Sequence, residues 1–312
     1  MSAGEDQHIP VLRDAILEQL NLRPDGTYVD GTFGRGGHSQ AILDRLGSEG
    51  RLVVIDRDPQ AITIADALAV LDARVTVVRG SFGDIEQIVE AHGVLGKVDG
   101  IILDLGVSSP QLDDASRGFS FLRDGPLDMR MDPEARLSAD DWLNDATENE
   151  IARVISRYGE ERSARRIARA ICSERKQQRI SRTRQLADLI ETVLPRRGKR
   201  KHPATKTFQA VRIHINNELG ELQSFLDAVL NVLSVGGRLC IISFHSLEDR
   251  MVKRFLRNNA RVDPALAGLP VVPESAQPVM RLVVGAIRPD REETERNPRA
   301  RSAVFRVGER LV

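Results

Sequence analysis

A strand, a glycine-rich turn and a helix follow one another between residues 28 and 46, and this order constrains the fold more than any other feature of the sequence. A short apolar strand precedes a turn that holds Gly34, Gly36 and Gly37, and residues 40–46 have helical character. Glycines let the backbone approach a ligand closely, and the free N–H groups at a helix start can bind its polar atoms. The segment predicts the first unit of a doubly wound α/β sheet.

The spacing around this turn indicates which cofactor it binds. A dinucleotide site requires G-x-G-x-x-G, but counting from Gly34 the third glycine position holds Ser39. An acidic strand end followed by x-x-x-G-x-G fits Asp30, Gly34 and Gly36, which is the first motif of S-adenosylmethionine (SAM) dependent methyltransferases. The next apolar run ends in Asp56, about 20 residues on, where a carboxylate can accept both ribose hydroxyls. A tight turn with a solvent-facing aspartate is the alternative.

The rest of the chain continues the alternation of strands and helices. Apolar runs predict strands at 75–78, 98–103, 238–243, 280–286 and 302–307. Helical spacing predicts helices at 8–20, 59–71, 86–92 and 247–257, and one long helix that runs from Phe208 to Leu233 and ends at Gly236 and Gly237. The near-continuous apolar run at 98–103 is typical of a parallel strand that is buried on both faces.

A long irregular segment at 104–132 interrupts the alternation. Loops of this length inside a compact domain are usually functional. This one follows the carboxyl end of the fourth strand, and open α/β sheets bind their ligands at that edge. We therefore expect the segment to form one wall of a substrate site.

The region after this segment is helical and strongly basic. The whole chain has 45 Lys+Arg and 45 Asp+Glu, yet residues 151–212 hold 18 Lys/Arg against 5 Asp/Glu. We predict a SAM-binding domain in two parts, 1–136 and 204–312, with an inserted helical domain at 137–203. A basic region in an otherwise acidic chain indicates a polyanionic partner. Solvated helices whose arginines pair with acidic residues are the alternative.

The cysteines and the hydropathy of the chain indicate the cellular compartment of the protein. Cys172 and Cys240 lie far apart in apolar surroundings, which favours buried thiols in a reducing cytosol over a disulfide framework or a metal site. No apolar run reaches the roughly 18 residues of a membrane span. We expect a soluble, cytoplasmic protein without a membrane partner.

Several uncommon strings occur together, and jointly they resemble one family, the bacterial 16S rRNA cytosine-N4 methyltransferases. The resemblance covers nearly the whole chain and implies a class I methyltransferase domain with an inserted helical domain. It also implies the target, a decoding-centre cytidine near the P site at position 1402 in the usual rRNA numbering. The strings are D-G-T-F-G-R-G-G-H-S (30–39), D-L-G-V-S-S-P-Q-L-D (104–113), R-G-F-S-F (117–121), G-P-L-D-M-R-M-D (125–132), H-P-A-T-K-T-F-Q-A-V-R-I (202–213), S-F-H-S-L-E-D-R (243–250) and N-P-R-A-R-S-A (297–303).

The resemblance also implies roles for individual residues. Carried across by position, the SAM contacts are Gly36, Gly37, His38, Asp56 at the ribose, Phe82 beside the adenine, and Asp104 and Gln111 near the methionine end. The candidate substrate-binding residues are Arg130, Arg165, Arg169, Lys206 and His245. DNA amino-methyltransferases carry [S/D]-P-P-[Y/F] after the fourth strand, and this chain does not. The acceptor for the target amine therefore stays open between Asp104, the Ser108 hydroxyl and a carbonyl of the loop.

Two other functions compete with this interpretation. A dinucleotide oxidoreductase would share the strand and turn, although the third glycine is missing. A non-enzymatic RNA-binding protein of ribosome assembly would bind RNA without binding SAM. The sequence leaves the oligomeric state open, a homodimer included, and does not decide between naked rRNA and the assembled 30S subunit as substrate.

Overall fold

The computed structural model describes residues 10–195, 202–262, 273 and 276–312. The start of the predicted first helix, the basic run 196–201 and most of the predicted loop 263–278 lie outside these residues. The chain divides into two compact units, a first unit of Met1–Gly106 and Leu219–Val312 and a second unit of Val107–Glu218. The predicted limits of the insert, 137 and 203, fall inside the second unit and stay a prediction.

The first unit is built on one seven-stranded mixed sheet. Its strands are β1 (Thr27–Asp30), β2 (Arg51–Asp56), β3 (Val75–Arg79), β4 (Val98–Asp104), β5 (Leu233–Ser243), β6 (Met280–Ile287) and β7 (Val304–Arg310). They lie in the order β3-β2-β1-β4-β5-β7-β6. The first five strands pair in parallel, and β7 runs antiparallel to both β5 and β6. The carboxyl ends of β1, β2 and β4 therefore meet at one edge of the sheet.

Thirteen α-helices are found in the described part of the chain. They are α1 (Arg13–Gln19), α2 (Gly37–Leu43), α3 (Pro59–Leu71), α4 (Ile85–Ala91), α5 (Ser109–Asp113), α6 (Ala139–Asp145), α7 (Glu148–Gly159), α8 (Ala164–Glu174), α9 (Thr183–Val193), α10 (Thr205–Ile215), α11 (Glu218–Val232), α12 (Ser246–Asn259) and α13 (Arg291–Arg296). The predicted helix at 59–71 is confirmed to the residue. No helix among the described residues combines the length and the apolar character that crossing a membrane requires.

Both faces of the sheet carry a hydrophobic core, which explains the continuous apolar strands. Successive side chains of a strand point to opposite faces. Tyr28 and Ile102 accordingly lie in one buried cluster, and their chain neighbours Val29 and Ile101 lie in the other. Full burial of a side chain of this size stabilises the fold by about 1.5–3 kcal/mol. Two-sided burial fixes the register of the central strands and thereby the positions of their polar ends.

The predicted long helix from Phe208 to Leu233 is wrong, because the structure divides it into α10 and α11. The break lies at Asn216 and Asn217, and Asn217 adopts a left-handed backbone with φ 49°. The buried Asn216 amide accepts a hydrogen bond from Met131 N at 2.7 Å and donates one to Met129 O at 2.7 Å. The predicted end of the helix at Gly236 and Gly237 is also wrong, since those residues lie inside β5.

The second unit, predicted to be helical, packs its helices through apolar stripes. Ile151, Val154 and Ile155 of α7 are buried, as are Ile167 and Ile171 of α8. Glu150 and Thr147 form a reciprocal capping box at the start of α7, which satisfies N–H groups that would otherwise lack partners.

The predicted irregular segment at 104–132 is ordered. It contains α5 and a short 3₁₀ turn, Ala115–Arg117. The buried Arg117 side chain donates from Nη2 to Arg130 O at 3.1 Å and to Met131 O at 2.9 Å. These bonds hold two distant parts of the segment together, so its residues have fixed positions without forming a long helix.

Candidate active site

The loop between β1 and α2 lies at the carboxyl edge of the sheet. Gly34 and Gly36 both have positive φ, 57° and 75°. A Cβ on Gly36 would lie 2.7 Å from the Phe33 ring, so the loop's own packing requires this glycine. A Cβ on Gly37 would lie 2.5 Å from Pro10. A Cβ on Gly34 would enter open space, with no atom nearer than 3.9 Å, so Gly34 is the position where the backbone is open to a ligand.

Asp56, at the end of β2, lies directly beside this loop. Its Oδ2 accepts a hydrogen bond from Gly34 N at 2.8 Å, and its Oδ1 accepts one from Asp58 N at 2.9 Å. Burial raises the pKa of this carboxyl group, and the backbone hydrogen bonds oppose that shift. Each carboxylate oxygen has a second lone pair, so Asp56 can hold the loop and still accept hydroxyl groups of a ligand.

His38 and Asp104 meet between α2 and the end of β4. Asp104 Oδ2 lies 3.6 Å from His38 Nε2, which is beyond hydrogen-bond length. Both ring nitrogens of His38, and Oδ1 of Asp104, are buried and have no hydrogen-bond partner among the described residues. A buried polar atom without a partner costs about 1–3 kcal/mol. Three such atoms in one place indicate that polar groups of a ligand complete the site.

Hydrogen bonds fix the backbone around this pair. Asp104 N donates to Thr32 Oγ1 at 2.7 Å, which ties the end of β4 to the glycine loop. Asp30, the acidic end of β1, accepts from Ser39 Oγ at 2.7 Å and from Thr32 N at 3.1 Å. Complete burial raises the pKa of the Asp30 carboxyl group, against the effect of the Ser39 bond. Asp30 therefore organises the loop from within the protein.

Phe82 lies beside the same edge, at the start of a short 3₁₀ turn, Phe82–Asp84. Its ring is half-buried and packs edge-on against Phe225, with 6.0 Å between the ring centroids. This contact holds the ring while part of it stays accessible. A Cβ placed on Gly31 would lie 3.2 Å from Phe82 Cβ, so the base of the Phe82 side chain lies close to the start of the glycine loop.

Three polar residues lie at the end of β5, and the sequence motifs predicted a role for only one of them, His245. His245 is the N-cap of α12, and its Nδ1 accepts from Glu248 N at 3.4 Å. Glu248 is buried and accepts from Phe244 N at 3.0 Å. His245 Nε2 lies 3.1 Å from Glu248 Oε1 but has no hydrogen-bond partner among the described residues. His245, predicted to bind substrate, has at least a capping role.

Ser243 and Glu248 are the polar residues of this strand end that the sequence did not single out. Ser243 Oγ is buried and has no hydrogen-bond partner among the described residues. The three-residue spacing of His245 and Glu248 matches a capping box and could have identified Glu248. Nothing in the local sequence distinguishes Ser243 from an ordinary strand residue.

Two predicted residues after β4 belong to the second unit. Ser108 is the N-cap of α5, and its N–H donates to Gln111 Oε1 at 2.9 Å. Gln111 is buried. The structure therefore gives both residues a part in starting α5, and it leaves their predicted roles at the cofactor and the amine as predictions.

The four predicted substrate-binding cations of the second unit differ in their partners. Arg130 forms a two-point ion pair with Asp128, at 2.9 and 2.6 Å, and donates to Ala135 O. Lys206 Nζ donates to Glu160 O at 2.8 Å. A third cation, Arg169, lies 3.7 Å from Glu148. The remaining one, Arg165, has no ion pair or side-chain hydrogen bond among the described residues and lines a groove between α7 and α8.

The fold and the site together define a class of protein. This strand order, with a glycine loop after β1 and acidic ends on β1, β2 and β4, is the class I fold of SAM-dependent methyltransferases. The model of the MraW methylase family matches residues 5–311, and the chain belongs to that family. It is the family of 16S rRNA cytosine-N4 methyltransferases, so the resemblance is confirmed, and SAM is the cofactor. The family supports SAM-dependent methylation of rRNA over the two alternatives, a dinucleotide oxidoreductase and a non-enzymatic RNA-binding protein.

Solved structures to which the chain is similar are distant in sequence. An rRNA methylase from Streptococcus thermophilus is 12% identical, with 96% of this chain and 94% of that chain covered and a TM-score of 0.41. The Streptococcus mutans protein SMU.1697c, in complex with SAH, is 11% identical, with 96% and 95% covered and a TM-score of 0.41. A SAM-dependent methyltransferase from Aquifex aeolicus is 11% identical, with 97% and 90% covered and a TM-score of 0.41. The family assignment does not depend on these likenesses.

Proposed function

We propose that the protein transfers the methyl group of SAM to the exocyclic N4 of cytidine 1402 in 16S rRNA, near the P site of the small subunit. One observation carries this proposal. At the end of β4, His38 and Asp104 present buried polar atoms without partners beside an open glycine loop, in a chain of the MraW methylase family. A polar ligand at this place satisfies those atoms.

The residues at the sheet edge fit the separate parts of SAM. Asp56 would accept the ribose hydroxyls, and the accessible part of Phe82 would contact the adenine. An ammonium group suits the Asp104 carboxylate, whose Oδ1 is buried without a partner, because a charged donor compensates a buried acceptor better than a neutral one does. SAM supplies a methyl group on a sulfonium, which a nitrogen nucleophile can attack in line.

The target amine needs positioning more than it needs a base. The N4 amine of cytosine is uncharged at neutral pH but conjugated with its ring, so it reacts once an acceptor holds its N–H bonds and lets the nitrogen pyramidalise. Alignment of this kind can supply about 7–11 kcal/mol of the barrier. Ser108 remains the candidate acceptor if Asp104 is committed to the cofactor.

The RNA must expose the target base to this site. N4 lies on the Watson–Crick edge, so the nucleotide has to be unpaired or flipped out of its stack. The excess of Lys/Arg over Asp/Glu in residues 151–212 supports the second unit as the part that binds the flanking phosphates. We propose the assembled 30S subunit in the cytoplasm as the substrate, and the homodimer stays a prediction.

Methyl transfer with position mapping tests the proposal. The purified protein is incubated with labelled SAM in two parallel reactions. One contains 30S subunits and the other contains naked 16S rRNA, and neither RNA carries the modification. Nuclease protection and mass spectrometry then locate the label and identify the nucleoside. We expect N4-methylcytidine at position 1402, formed faster on 30S subunits. Label on another nucleotide, or on C5 of cytosine, would refute the proposed specificity and leave the methyltransferase class intact.

A further inference from the structure

A basic groove lies on the second unit, between α7 and the start of α8. We call it the arginine groove and define it by six of its lining residues: Arg153, Ser156, Arg162, Ser163, Arg165 and Arg166. Its volume is about 540 Å³, which falls within the range of about 300–1,000 Å³ for ligand pockets. In the described part of the chain, the residues that line it include no Asp or Glu.

The four arginines of the groove form no ion pair among the described residues. Arg153, Arg162 and Arg165 form no ion pair and no side-chain hydrogen bond among the described residues. Arg166 donates from Nη2 to Val193 O at 3.0 Å, which holds its guanidinium in place without neutralising its charge. Burial, followed by the charge of Arg153, lowers the pKa of His214. Four like charges around one cavity produce a positive potential that attracts anions.

The carboxylates nearest in sequence already have other partners. Glu150 Oε2 accepts from Thr147 N and Thr147 Oγ1, both at 2.8 Å, in the α7 capping box. Glu161 Oε1 accepts from Ser163 N at 2.8 Å. The Glu148 carboxylate lies 3.7 Å from Arg169, outside the groove. Glu150 still interacts electrostatically with Arg153. None of these carboxylates forms an ion pair with Arg162 or Arg165, so the charge of those two arginines is available to a partner.

The start of α8 adds two features that suit an anion. Ser163, the N-cap residue, makes no side-chain capping bond, so its hydroxyl is not used by the helix. The positive end of the helix dipole lies at the same place as Ala164, which also lines the groove. Guanidinium groups bind phosphate oxygens through two parallel hydrogen bonds, and hydroxyl and backbone N–H groups add further donors.

We infer that the arginine groove binds consecutive phosphodiester groups of the RNA substrate, with Arg162 and Arg165 as its main phosphate contacts. This inference deepens the proposed function and rests on it. It favours the groove over Arg130, Arg169 and Lys206, whose charged groups already contact carboxylates or carbonyl oxygens of the chain. Phosphate contacts fix the register of an RNA without reading its sequence, so the groove would hold the strand while the first unit acts on one base.

The salt dependence of RNA binding tests this inference. The double variant Arg162→Ala/Arg165→Ala is compared with wild type for binding to a 16S rRNA transcript at several KCl concentrations. Each lost phosphate contact should flatten the slope of log affinity against log salt by about 0.7–0.9, or by about 1.4–1.8 for two. The matched control is Lys176→Ala/Arg184→Ala, which removes the same charge from exposed positions of the same unit outside the groove. Its slope should change by less than about 0.5.

Three results separate the groove from the proposed function. Equal flattening in both double variants would overturn the inference, because net charge alone would then explain it. An unchanged slope in a folded groove variant, with loss of methyl transfer to 30S subunits, would also overturn it and indicate a contact with a ribosomal protein. Failure of the wild type to bind rRNA or to methylate it would refute the proposed function instead. Far-UV circular dichroism and urea unfolding, compared with wild type, verify that the helical second unit of each variant is folded.

Discussion

The two compact units use their polar side chains in opposite ways. In the first unit, the buried His38 ring and the buried Oδ1 of the partly exposed Asp104 lie at the end of β4 and have no hydrogen-bond partners among the described residues. In the second unit, Arg162 and Arg165 are exposed around an open groove. Buried polar atoms favour a small ligand with fixed complementary groups, whereas exposed cations favour a long polyanion with many equivalent groups. The difference indicates that one unit holds the cofactor and the other binds the RNA backbone.

The two units also differ in what their polar groups cost the free protein. Each enclosed atom without a partner costs about 1–3 kcal/mol in the free protein, and a ligand that satisfies it recovers that energy. Exposed arginines keep their hydration and cost little until they meet phosphates, when released counterions drive binding. Cofactor binding should therefore depend on shape and individual hydrogen bonds, while RNA binding should depend on salt.

The largest effect is expected when the open side of the glycine loop is filled. Gly34→Leu should weaken SAM binding by about 100-fold or more, or about 2.8 kcal/mol, because a side chain would occupy the space at Gly34. Gly93→Leu is the matched control, since Gly93 also has positive φ, 71°, and a Cβ there meets no atom within 4 Å. Both variants carry the same left-handed strain of about 1–2 kcal/mol. Equal SAM affinity of the two variants by calorimetry would remove the loop from the site.

Gly36→Val is a poorer test of the same loop. The Phe33 ring already excludes a Cβ at Gly36, so this variant would lose SAM binding through distortion of the loop whether or not the cofactor lies there. The Gly34→Leu variant distinguishes loss of the cofactor's space from distortion of the loop, because a Cβ at Gly34 meets no neighbouring side chain.

Loss of the Asp56 carboxylate should have the next largest effect. Asp56→Ala should weaken SAM binding by about 10- to 100-fold, since charge-assisted hydrogen bonds contribute about 1.5–3 kcal/mol. Asp56 also holds Gly34 N, so affinity alone does not isolate the ribose contact. S-adenosylhomocysteine and its 2′-deoxy analogue resolve this. Wild type should prefer the parent compound and Asp56→Ala should not. A preference that survives in the variant would mean that Asp56 only supports the loop.

Asp104→Asn should weaken SAM binding about tenfold, because the variant keeps the shape of the side chain and loses its charge. Turnover at saturating SAM should change by less than about threefold if Asp104 contacts only the cofactor. The measurements are calorimetry with SAM and the methylation rate on 30S subunits. A fall of about 100-fold in turnover, with SAM affinity unchanged, would instead make Asp104 the acceptor of the target amine.

The smallest effects concern pH and stability, and they should have opposite signs in the two units. Burial raises the pKa of Asp30 above its ordinary 3.8, so the contribution of this group to stability is present at low pH and is lost as pH rises through its folded pKa. The bond from Arg182 lowers the pKa of the exposed Asp124, so its contribution is lost as pH falls.

Urea unfolding measures both contributions. The free energy of unfolding of wild type minus that of Asp30→Asn should decrease as pH rises from about 4 to about 8, with a slope no steeper than about 1.4 kcal/mol per pH unit. The same difference for Asp124→Asn should increase as pH rises through the acid range. A pH-independent difference for Asp30→Asn would mean that Asp30 keeps an ordinary pKa in the folded protein.

Local patterns predicted the sheet and the cofactor loop, and distant contacts account for what they missed. The strands 98–103 and 238–243, and the loop with Asp30, Asp56 and Asp104 at its edge, follow from apolar runs and glycine spacing. The break between α10 and α11 does not, because Asn216 bonds to Met129 and Met131, which lie far away in the sequence.

The basic groove illustrates the same limit. A count of charges locates a basic region but cannot separate Arg165 from Arg169. Both are exposed arginines of α8, and they differ only because Glu148 of α7 lies beside Arg169. The partner of a surface cation depends on which helix packs beside it, and the periodicity of one helix does not predict that neighbour.

One measurement tests the division between the units most directly: SAM affinity and the KM for 30S subunits, determined on the same preparation of Arg162→Ala/Arg165→Ala. We predict a SAM dissociation constant within about twofold of wild type and a KM for 30S subunits raised by about tenfold or more, since each lost charged contact costs about 1.5–3 kcal/mol. A raised SAM dissociation constant with an unchanged KM would contradict it, because the groove would then serve the cofactor and the RNA would bind elsewhere.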